Sequence, residues 1–251
     1  MFKQFNQNLC LKQPDAVLFD TDNTLYEYMP ANILAEKAVE VKVNNLLGIN
    51  SSVFRSAYNQ ARSQIKDQLG RTASSHSRLL YFQRLLEILG FKAQLLTALD
   101  LEQTFWRTFL ANAPLFPGVT DFLSLLRTNK VPLAIVTDLT SHIQLRKLTY
   151  FNLEETFDAV VTSEEVGADK PDPRNFHLVL DKLKLTTSNH IWMVGDNPHA
   201  DIAGGKSIGA VTFQKIHHGV IVKNGPLAPD FAFTSFFEFK NFYSSQFLSD
   251  S

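Results

Sequence analysis

The sequence contains a single cysteine, Cys10, among its 251 residues. One thiol cannot form a disulfide within the chain, and such cysteine usage is typical of proteins from a reducing compartment. No segment approaches the ~20 consecutive apolar residues of a membrane-spanning helix. The first residues, MFKQFNQNLCLKQ, also lack the apolar run of a signal peptide. These absences predict a cytoplasmic protein that does not act on a membrane.

An excess of charge of either sign is missing as well. The 24 Lys and Arg residues nearly balance the 25 Asp and Glu residues, which gives a formal net charge of −1. A broad surface for nucleic acid needs clustered positive charge, so nucleic acid is not expected as a partner. A local basic pocket for one phosphate group remains compatible with this balance. The length suits one large domain, or a core domain with a smaller insert.

The chain contains one long region of helical patterns and, after it, a region in which helices alternate with buried strands. Residues 26–116 carry four amphipathic helix patterns and no strand pattern between them, which predicts an α-helical bundle. A buried strand precedes this region, and five follow it with helices in between. Such β-α repeats predict a doubly wound parallel, Rossmann-like sheet. We therefore predict an α/β core domain, residues 1–25 and 117–251, with a helical cap domain, residues 26–116, inserted after the first strand.

The end of the sequence is rich in phenylalanine. Two interpretations remain open: these rings close the core, or they form an exposed patch for a second copy or another partner. The sequence does not distinguish a monomer from a homodimer.

Two carboxylates, Asp20 and Asp22, directly follow the first buried strand in the stretch AVLFDTDNTL. Residues at positions i and i+2 project over the same end of a sheet, where open α/β folds bind ligands. One interpretation is a polar loop with a capping aspartate. A calcium loop is disfavoured because Leu25 replaces the turn glycine and Ala31 the bidentate acid. The third is a nucleophilic carboxylate with an acid/base partner.

Complementary groups follow three later strands. Thr137 and Asp138 end one strand before a helix, an arrangement that can bind phosphate oxygens. Lys170, in GADKPDP, can reach the same edge and neutralise negative charge. Asp196 and Asp201, in GDNPHAD, would repel other carboxylates unless a cation lay between them. Oxygen ligands without a Cys/His set favour a hard divalent ion, above all Mg²⁺.

The stretch DTDNTL resembles the first motif of the haloacid dehalogenase-like hydrolases, a superfamily dominated by magnesium-dependent phosphatases with an aspartate nucleophile. The later motifs occur in the expected order and extend the resemblance over nearly the whole chain. The second motif usually has Asn after its Thr or Ser, and here Asp138 takes that place.

The resemblance implies a role for each residue of the motifs. Asp20 would form an aspartyl phosphate, and Asp22 would serve as acid and then as base. Thr137 and Lys170 would act on the transferring phosphoryl group, together with the backbone amide of Asp138. We expect the carboxylate of Asp138 to turn away from the phosphate, because like charges repel.

The resemblance also implies a magnesium site. Its ligands would be Asp20, Asp196 and the backbone carbonyl of Asp22. Asn197 and Asp201 would support these ligands or bind the metal themselves.

The helical insertion corresponds to the α-helical cap of the family, which supplies contacts to the substrate. The candidates for these contacts lie in the loop GRTASSHSR and just after the first motif: Tyr26, Glu27, Arg71, His76 and Arg78. An alternative for the loop is a solvated helix start, in which Ser75 caps the helix and the basic side chains face water.

The predicted function is a magnesium-dependent phosphomonoester hydrolase. Its substrate would be a small phosphorylated metabolite such as a sugar phosphate, an acylneuraminate phosphate, a nucleotide or phosphoglycolate. A phosphomutase would retain the same residues, so the sequence leaves it open. A 2-haloacid dehalogenase uses the same nucleophile but needs neither a metal nor Asp22. A non-catalytic binding protein on the same fold is a further alternative.

Overall fold

A seven-stranded sheet organises the larger of two units in the computed structural model, which describes residues 2–248. The core unit comprises the chain up to Tyr26 and from Leu115 onward, and the cap unit is Glu27–Pro114. These divisions lie one or two residues from the boundaries given by the sequence pattern.

The sheet has the strand order β1-β7-β6-β5-β2-β3-β4. Its strands are β1 (Phe2–Gln4), β2 (Ala16–Phe19), β3 (Leu133–Thr137), β4 (Ala159–Thr162), β5 (Ile191–Gly195), β6 (Val211–Lys215) and β7 (Phe231–Phe233). Strand β2 pairs in parallel with β5 on one side and β3 on the other. Its four residues are 0% exposed, as expected for an uninterrupted apolar run covered on both faces.

The predicted α/β class with a doubly wound sheet is confirmed, with one addition. Strand β1 pairs antiparallel with β7, so the sheet is mixed. The sequence analysis did not predict β1, because a strand of three residues, none of them buried, gives no usable period.

Helices cover both faces of the sheet. In the core unit they are α5 (Val119–Thr128), α6 (Ser141–Tyr150), α7 (Ser163–Val166), α8 (Pro173–Leu183), α9 (Ala203–Ser207) and α10 (Phe236–Phe247). On one face, Leu18 of β2 shares a buried cluster with Phe176 and Val179 of α8. On the other face, Phe19 lies edge-on to Phe122 of α5, with 6.4 Å between ring centroids.

The phenylalanines near the C-terminus close the core. Phe231, Phe233, Phe236 and Phe239 are at most 1% exposed. The ring of Phe239 stacks on Phe122 of α5 at 4.3 Å and on Phe213 of β6 at 4.8 Å. A neighbour on α10, Phe237, is 49% exposed, so the helix presents one aromatic face to the sheet.

The cap unit contains helices and no strand within residues 27–114, all of which the structure describes. Its helices are α1 (Tyr28–Leu47), α2 (Ser51–Leu69), α3 (Arg78–Ile88) and α4 (Leu95–Ala111), with a 3-10 turn at Ala73–His76. Gly48 ends α1 in the left-handed conformation at φ 68°, which glycine adopts without steric cost. Within the described chain, no helix is both long and apolar enough to cross a membrane.

The start of α3 differs from its expected form. Ser77 caps the helix, because its side chain accepts a hydrogen bond from the Leu80 amide. Ser75 is buried in the preceding turn, and its carbonyl accepts a hydrogen bond from the hydroxyl of Tyr81. The interpretation of Ser75 as the cap was therefore wrong, because the 3-10 turn shifts the helix start by two residues.

Candidate active site

The polar side chains that follow β2, β3 and β5 converge at one edge of the sheet. This convergence follows from the pairing of β2 with both neighbours, since parallel strands end on the same side. A cleft of about 170 Å³ opens there within the core unit. Its lining residues are Asp20, Asp22, Asn23, Thr137, Asp138, Lys170, Asp196, Asn197, Ala200 and Asp201. The structure thus brings together the motif residues that the sequence analysis selected.

Lys170 connects the carboxylates of two different strand ends. Its Nζ donates hydrogen bonds of 2.7 Å to Oδ1 of Asp20 and 2.7 Å to Oδ1 of Asp201. A third bond of 2.8 Å goes to the carbonyl of Val136 at the end of β3. The side chain is buried, so these three acceptors replace the water that the ammonium loses.

The cleft holds more negative than positive charge. Burial is the main reason that the pKa of Asp20 is raised to about 7. The charge of Lys170 opposes this rise, and repulsion from Asp201 adds to it. Burial, followed by the charges of Asp201 and Asp20, raises the pKa of Asp196 to about 9. Burial alone would lower the pKa of Lys170, but Asp20 and Asp201 hold it well above its usual range.

Three carboxylates of the cleft lie close enough together to surround one metal ion. Asp20, Asp196 and Asp201 each offer an oxygen atom, and these atoms lie within 4.8 Å of one another. Oxygen-only ligands suit a hard divalent cation, and the raised pKa values indicate that added positive charge would stabilise the ionised site.

A tight turn after β5 places Asp201 against the strand end. A Cβ atom on Gly195 would lie 2.4 Å from Cβ of Asp201, so only glycine allows this approach. Asn197 supports the turn: its Oδ1 accepts hydrogen bonds from the amides of His199 and Ala200. The amide of Asn197 in turn donates to Oδ2 of Asp201 at 3.0 Å.

The end of β3 contributes a hydroxyl and a carboxylate. Oγ1 of Thr137 lies 3.1 Å from Oγ1 of Thr21, which joins the ends of β3 and β2. Oδ1 of Asp138 accepts the amide hydrogen of Lys170 at 2.7 Å. Burial raises the pKa of Asp138 to about 6. The hydrogen bond holds one oxygen of this carboxylate against the Lys170 loop.

Asp22 has a partner that the sequence analysis missed. Its Oδ1 accepts a 2.6 Å hydrogen bond from Nζ of Lys147, on α6, and a second from the hydroxyl of Tyr26. Lys147 is 1% exposed. A lysine one turn after Ile143 and next to Leu148, on the apolar face of a helix, is the signal that could have revealed it.

The predicted cap residues lie in different settings. Tyr26 belongs to the core unit and is 1% exposed. Glu27 precedes α1, Arg71 is exposed after α2, and His76 ends the 3-10 turn. The guanidinium of Arg78 lies 5.1 Å from the centre of the Phe105 ring, close to two further aromatic rings of the cap. It donates hydrogen bonds to the Tyr28 hydroxyl and the His76 carbonyl. Contacts of these residues with a substrate stay predictions.

The chain is similar to proteins of known family and known structure. A family model described as haloacid dehalogenase-like hydrolase matches residues 14–209. Ribulose-1,5-bisphosphate 5-phosphatase from Halopiger xanaduensis is 40% identical over 199 residues, 78% of this chain and 82% of that protein. Glyceraldehyde 3-phosphate phosphatase from Methanopyrus kandleri is 28% identical over 201 residues, 79% of this chain and 82% of that protein. The HAD-hydrolase YfnB from Bacillus subtilis, solved bound to magnesium, has a TM-score of 0.68 at 24% identity and covers 92% of this chain and 99% of its own.

Replacing Lys170 with Met should destabilise the protein in a pH-dependent way. Without the ammonium, the folded-state pKa of Asp20 rises further above its unfolded value. When a carboxyl has a higher pKa in the folded state, the unfolding free energy of the protein falls as the pH rises from the unfolded-state pKa to the folded-state pKa. In metal-free buffer we expect K170M to lose about 3–5 kcal/mol of unfolding free energy at pH 8, and less at pH 5. Urea unfolding at both pH values measures the difference.

Lys182→Met is the matched control. Lys182 donates a 2.7 Å hydrogen bond to Glu165, but both side chains are about one-third exposed or more. Loss of this exposed ion pair should lower the unfolding free energy by about 0–1 kcal/mol at either pH. A K170M deficit that is equal at pH 5 and pH 8 would contradict the proposed coupling between Lys170 and Asp20.

Proposed function

The chain belongs to the haloacid dehalogenase-like hydrolases and is a phosphatase, and we propose that it cleaves phosphate monoesters of small metabolites through an aspartyl-phosphate intermediate. The observation that carries this proposal is the position of Asp20 at the end of the central strand. Its Oδ1 is held by Lys170, and its Oδ2 accepts a 3.0 Å hydrogen bond from the hydroxyl of Thr24. A carboxylate held on both oxygens beside an open cleft is oriented for attack on phosphorus.

Two displacements complete the reaction. In the first, an oxygen of Asp20 bonds to phosphorus, the ester P–O bond breaks, and Asp22 donates a proton to the departing oxygen. In the second, Asp22 removes a proton from water, which attacks phosphorus and breaks its bond to Asp20. Inorganic phosphate leaves, and both aspartates return to their starting states.

The remaining core residues bind the phosphoryl group. We assign its oxygens to the hydroxyl of Thr137, the ammonium of Lys170 and the backbone amide of Asp138. Lys170 serves twice, because it also donates a hydrogen bond to Asp20 and its charge opposes the rise in the pKa of that carboxyl.

We propose Mg²⁺ as the cation of the acidic cluster. Asp20, Asp196 and the backbone carbonyl of Asp22 would hold it, with Asp201 and Asn197 as supports. The bound ion would neutralise charge on the transferring phosphoryl group. The magnesium bound to YfnB supports this choice, as does the all-oxygen ligand set.

We place the substrate among phosphorylated sugars. The names of the two relatives, a ribulose-1,5-bisphosphate phosphatase and a glyceraldehyde 3-phosphate phosphatase, both specify phosphorylated carbohydrates. Arg71, His76 and Arg78 are the cap residues whose chemistry suits a second anionic group or the hydroxyls of such a molecule.

A substrate panel tests this assignment. The purified protein, with Mg²⁺, should release phosphate from triose, pentose or hexose phosphates with a kcat/KM about tenfold or more above that for the other compounds. The comparison compounds of the panel are nucleoside monophosphates, phosphoserine, phosphoglycolate and an acylneuraminate phosphate. A preference for any of these four would contradict the sugar assignment. Migration of the phosphate within a sugar would indicate a mutase, and halide release from a 2-haloacid would indicate a dehalogenase.

Metal binding should be visible without an activity assay. At a Mg²⁺ concentration 100 times its Kd, the free energy of unfolding should rise by about 2.7 kcal/mol, because the ion binds only the folded protein. Asp196→Asn should remove most of this gain. It should also stabilise the metal-free protein near pH 8, since a carboxyl with a pKa of about 9 is costly to ionise there.

Asp181→Asn, on the exposed side of α8, is the control and should retain the full Mg²⁺ response. The same Mg²⁺-induced gain in wild type and D196N would argue against the proposed site. Phosphate release that is insensitive to a chelator would argue against the role of the metal.

A further inference from the structure

Helix α6 carries a buried lysine that none of the four sequence motifs includes. Lys147 is 1% exposed and lies on the same helix face as the buried residues Ile143 and Leu148. An ammonium in such a place is costly unless charged or polar partners replace its water. A hydrophobic residue of similar size would often be at least as stable there, so a buried ion pair alone does not explain a lysine.

The partner of Lys147 is the carboxylate to which we assign proton transfer. Nζ of Lys147 donates to Oδ1 of Asp22 at 2.6 Å, and the hydroxyl of Tyr26 donates to the same oxygen. Nζ also lies 5.6 Å from the centre of the Tyr26 ring. Asp22 itself is about one-third exposed and lines the cleft. One oxygen of a cleft-facing carboxylate is thus fixed from inside the protein.

A second residue of α6 reaches the same loop. Gln144, one turn before Lys147, is fully buried, and its Oε1 accepts a hydrogen bond from Oγ1 of Thr21 at 3.4 Å. The helix therefore contacts the loop after β2 through two side chains. Gln144 accepts a hydrogen bond from Thr21, and Lys147 donates one to Asp22. These contacts link the orientation of Asp22 to the packing of α6.

On the basis of the proposed function, we propose that Lys147 is a positioning residue for proton transfer by Asp22. By holding Oδ1, it presents Oδ2 first to the departing ester oxygen and then to the attacking water. A proton donor must lie within about 2.6–3.2 Å of its acceptor, and a misplacement of about 1 Å can cost about 100-fold in rate. The side chain of Asp22 can rotate, so its productive position depends on what binds its other oxygen.

Lysine suits this task better than arginine. An ammonium is a compact donor that binds one carboxylate oxygen, whereas a guanidinium fork matches both oxygens of a carboxylate. Lys147→Arg would keep the charge but engage Oδ2, which the reaction needs. Lys147→Met removes the donor at nearly constant volume.

The dependence of rate on the leaving group tests the proposal. Phenyl phosphate and p-nitrophenyl phosphate have similar shapes, but the nitrophenolate leaves readily without a proton, whereas phenolate needs one. The value of kcat/KM covers the steps up to departure of this group. For K147M we expect kcat/KM to fall about tenfold or more with phenyl phosphate, and several-fold less with p-nitrophenyl phosphate. K147R should show the same unequal loss.

A double-mutant cycle shows whether Lys147 acts through Asp22. Once Asp22→Asn has removed the proton donor, adding K147M should lower kcat/KM with phenyl phosphate no further. K182M, which breaks the ion pair between Lys182 of α8 and Glu165 of α7, is the matched control and should match wild type with both substrates. Circular dichroism and thermal unfolding check the fold, and K147R carries the test if K147M does not fold.

Three results would overturn the proposal. They are an equal loss with both substrates, wild-type kinetics in K147M and K147R, and losses that multiply when K147M is combined with D22N. Failure of the proposed function is distinguishable, because D22N would then itself retain the wild-type rate with phenyl phosphate. An impaired D22N together with an unimpaired K147M would refute the role of Lys147 alone.

Discussion

The site depends on one physical constraint: several carboxylates must remain ionised close together in a partly buried cleft. The ends of β2 and β5 bring Asp20, Asp196 and Asp201 within a distance at which their charges repel strongly. Lys170 supplies one compensating charge through hydrogen bonds to two of them. One lysine does not balance the negative charge of the cleft, and the pKa values of Asp20 and Asp196 are accordingly raised. A divalent cation would supply the missing positive charge. Local features such as Gly195, which admits Asp201 to the strand end, serve the same arrangement.

Much of this could be predicted from the sequence because the informative signals are local. The run AVLF marks a strand buried on both faces, and the residues that follow each strand share one edge of a parallel sheet. Strand β1 was missed because three residues carry no reliable period. Lys147 was missed for a different reason: its contact with Asp22 joins residues 125 positions apart and depends on how α6 packs. Sequence patterns identify residues whose type and position after a strand indicate a role. They do not identify residues such as Lys147, whose role depends on a contact formed only in the folded protein.

The core unit indicates the chemistry of the reaction more directly than the cap unit indicates the substrate. In the core unit, hydrogen bonds hold the carboxylates of Asp20 and Asp22 and the ammonium of Lys170. In the cap unit, Arg78 is enclosed by aromatic rings and bonded to Tyr28, whereas Arg71 is exposed. A charged side chain that is already fixed by neighbours, such as Arg78, is suited to one directional contact. An exposed side chain such as Arg71 can adapt to different ligands. The substrate class therefore rests on the relatives, and the chemistry rests on the geometry of the core.

The central claim is that a phosphoryl group is transferred to Asp20 itself. The most direct measurement is to quench the enzyme in acid during turnover, reduce any acyl phosphate with borohydride, and examine the peptide containing Asp20 by mass spectrometry. Reduction of an aspartyl phosphate yields homoserine, so the account predicts homoserine at position 20 in wild type and in greater amount in D22N. It predicts none in D20N. Turnover with unmodified Asp20 at every quench time, or a label on another residue, would contradict the account.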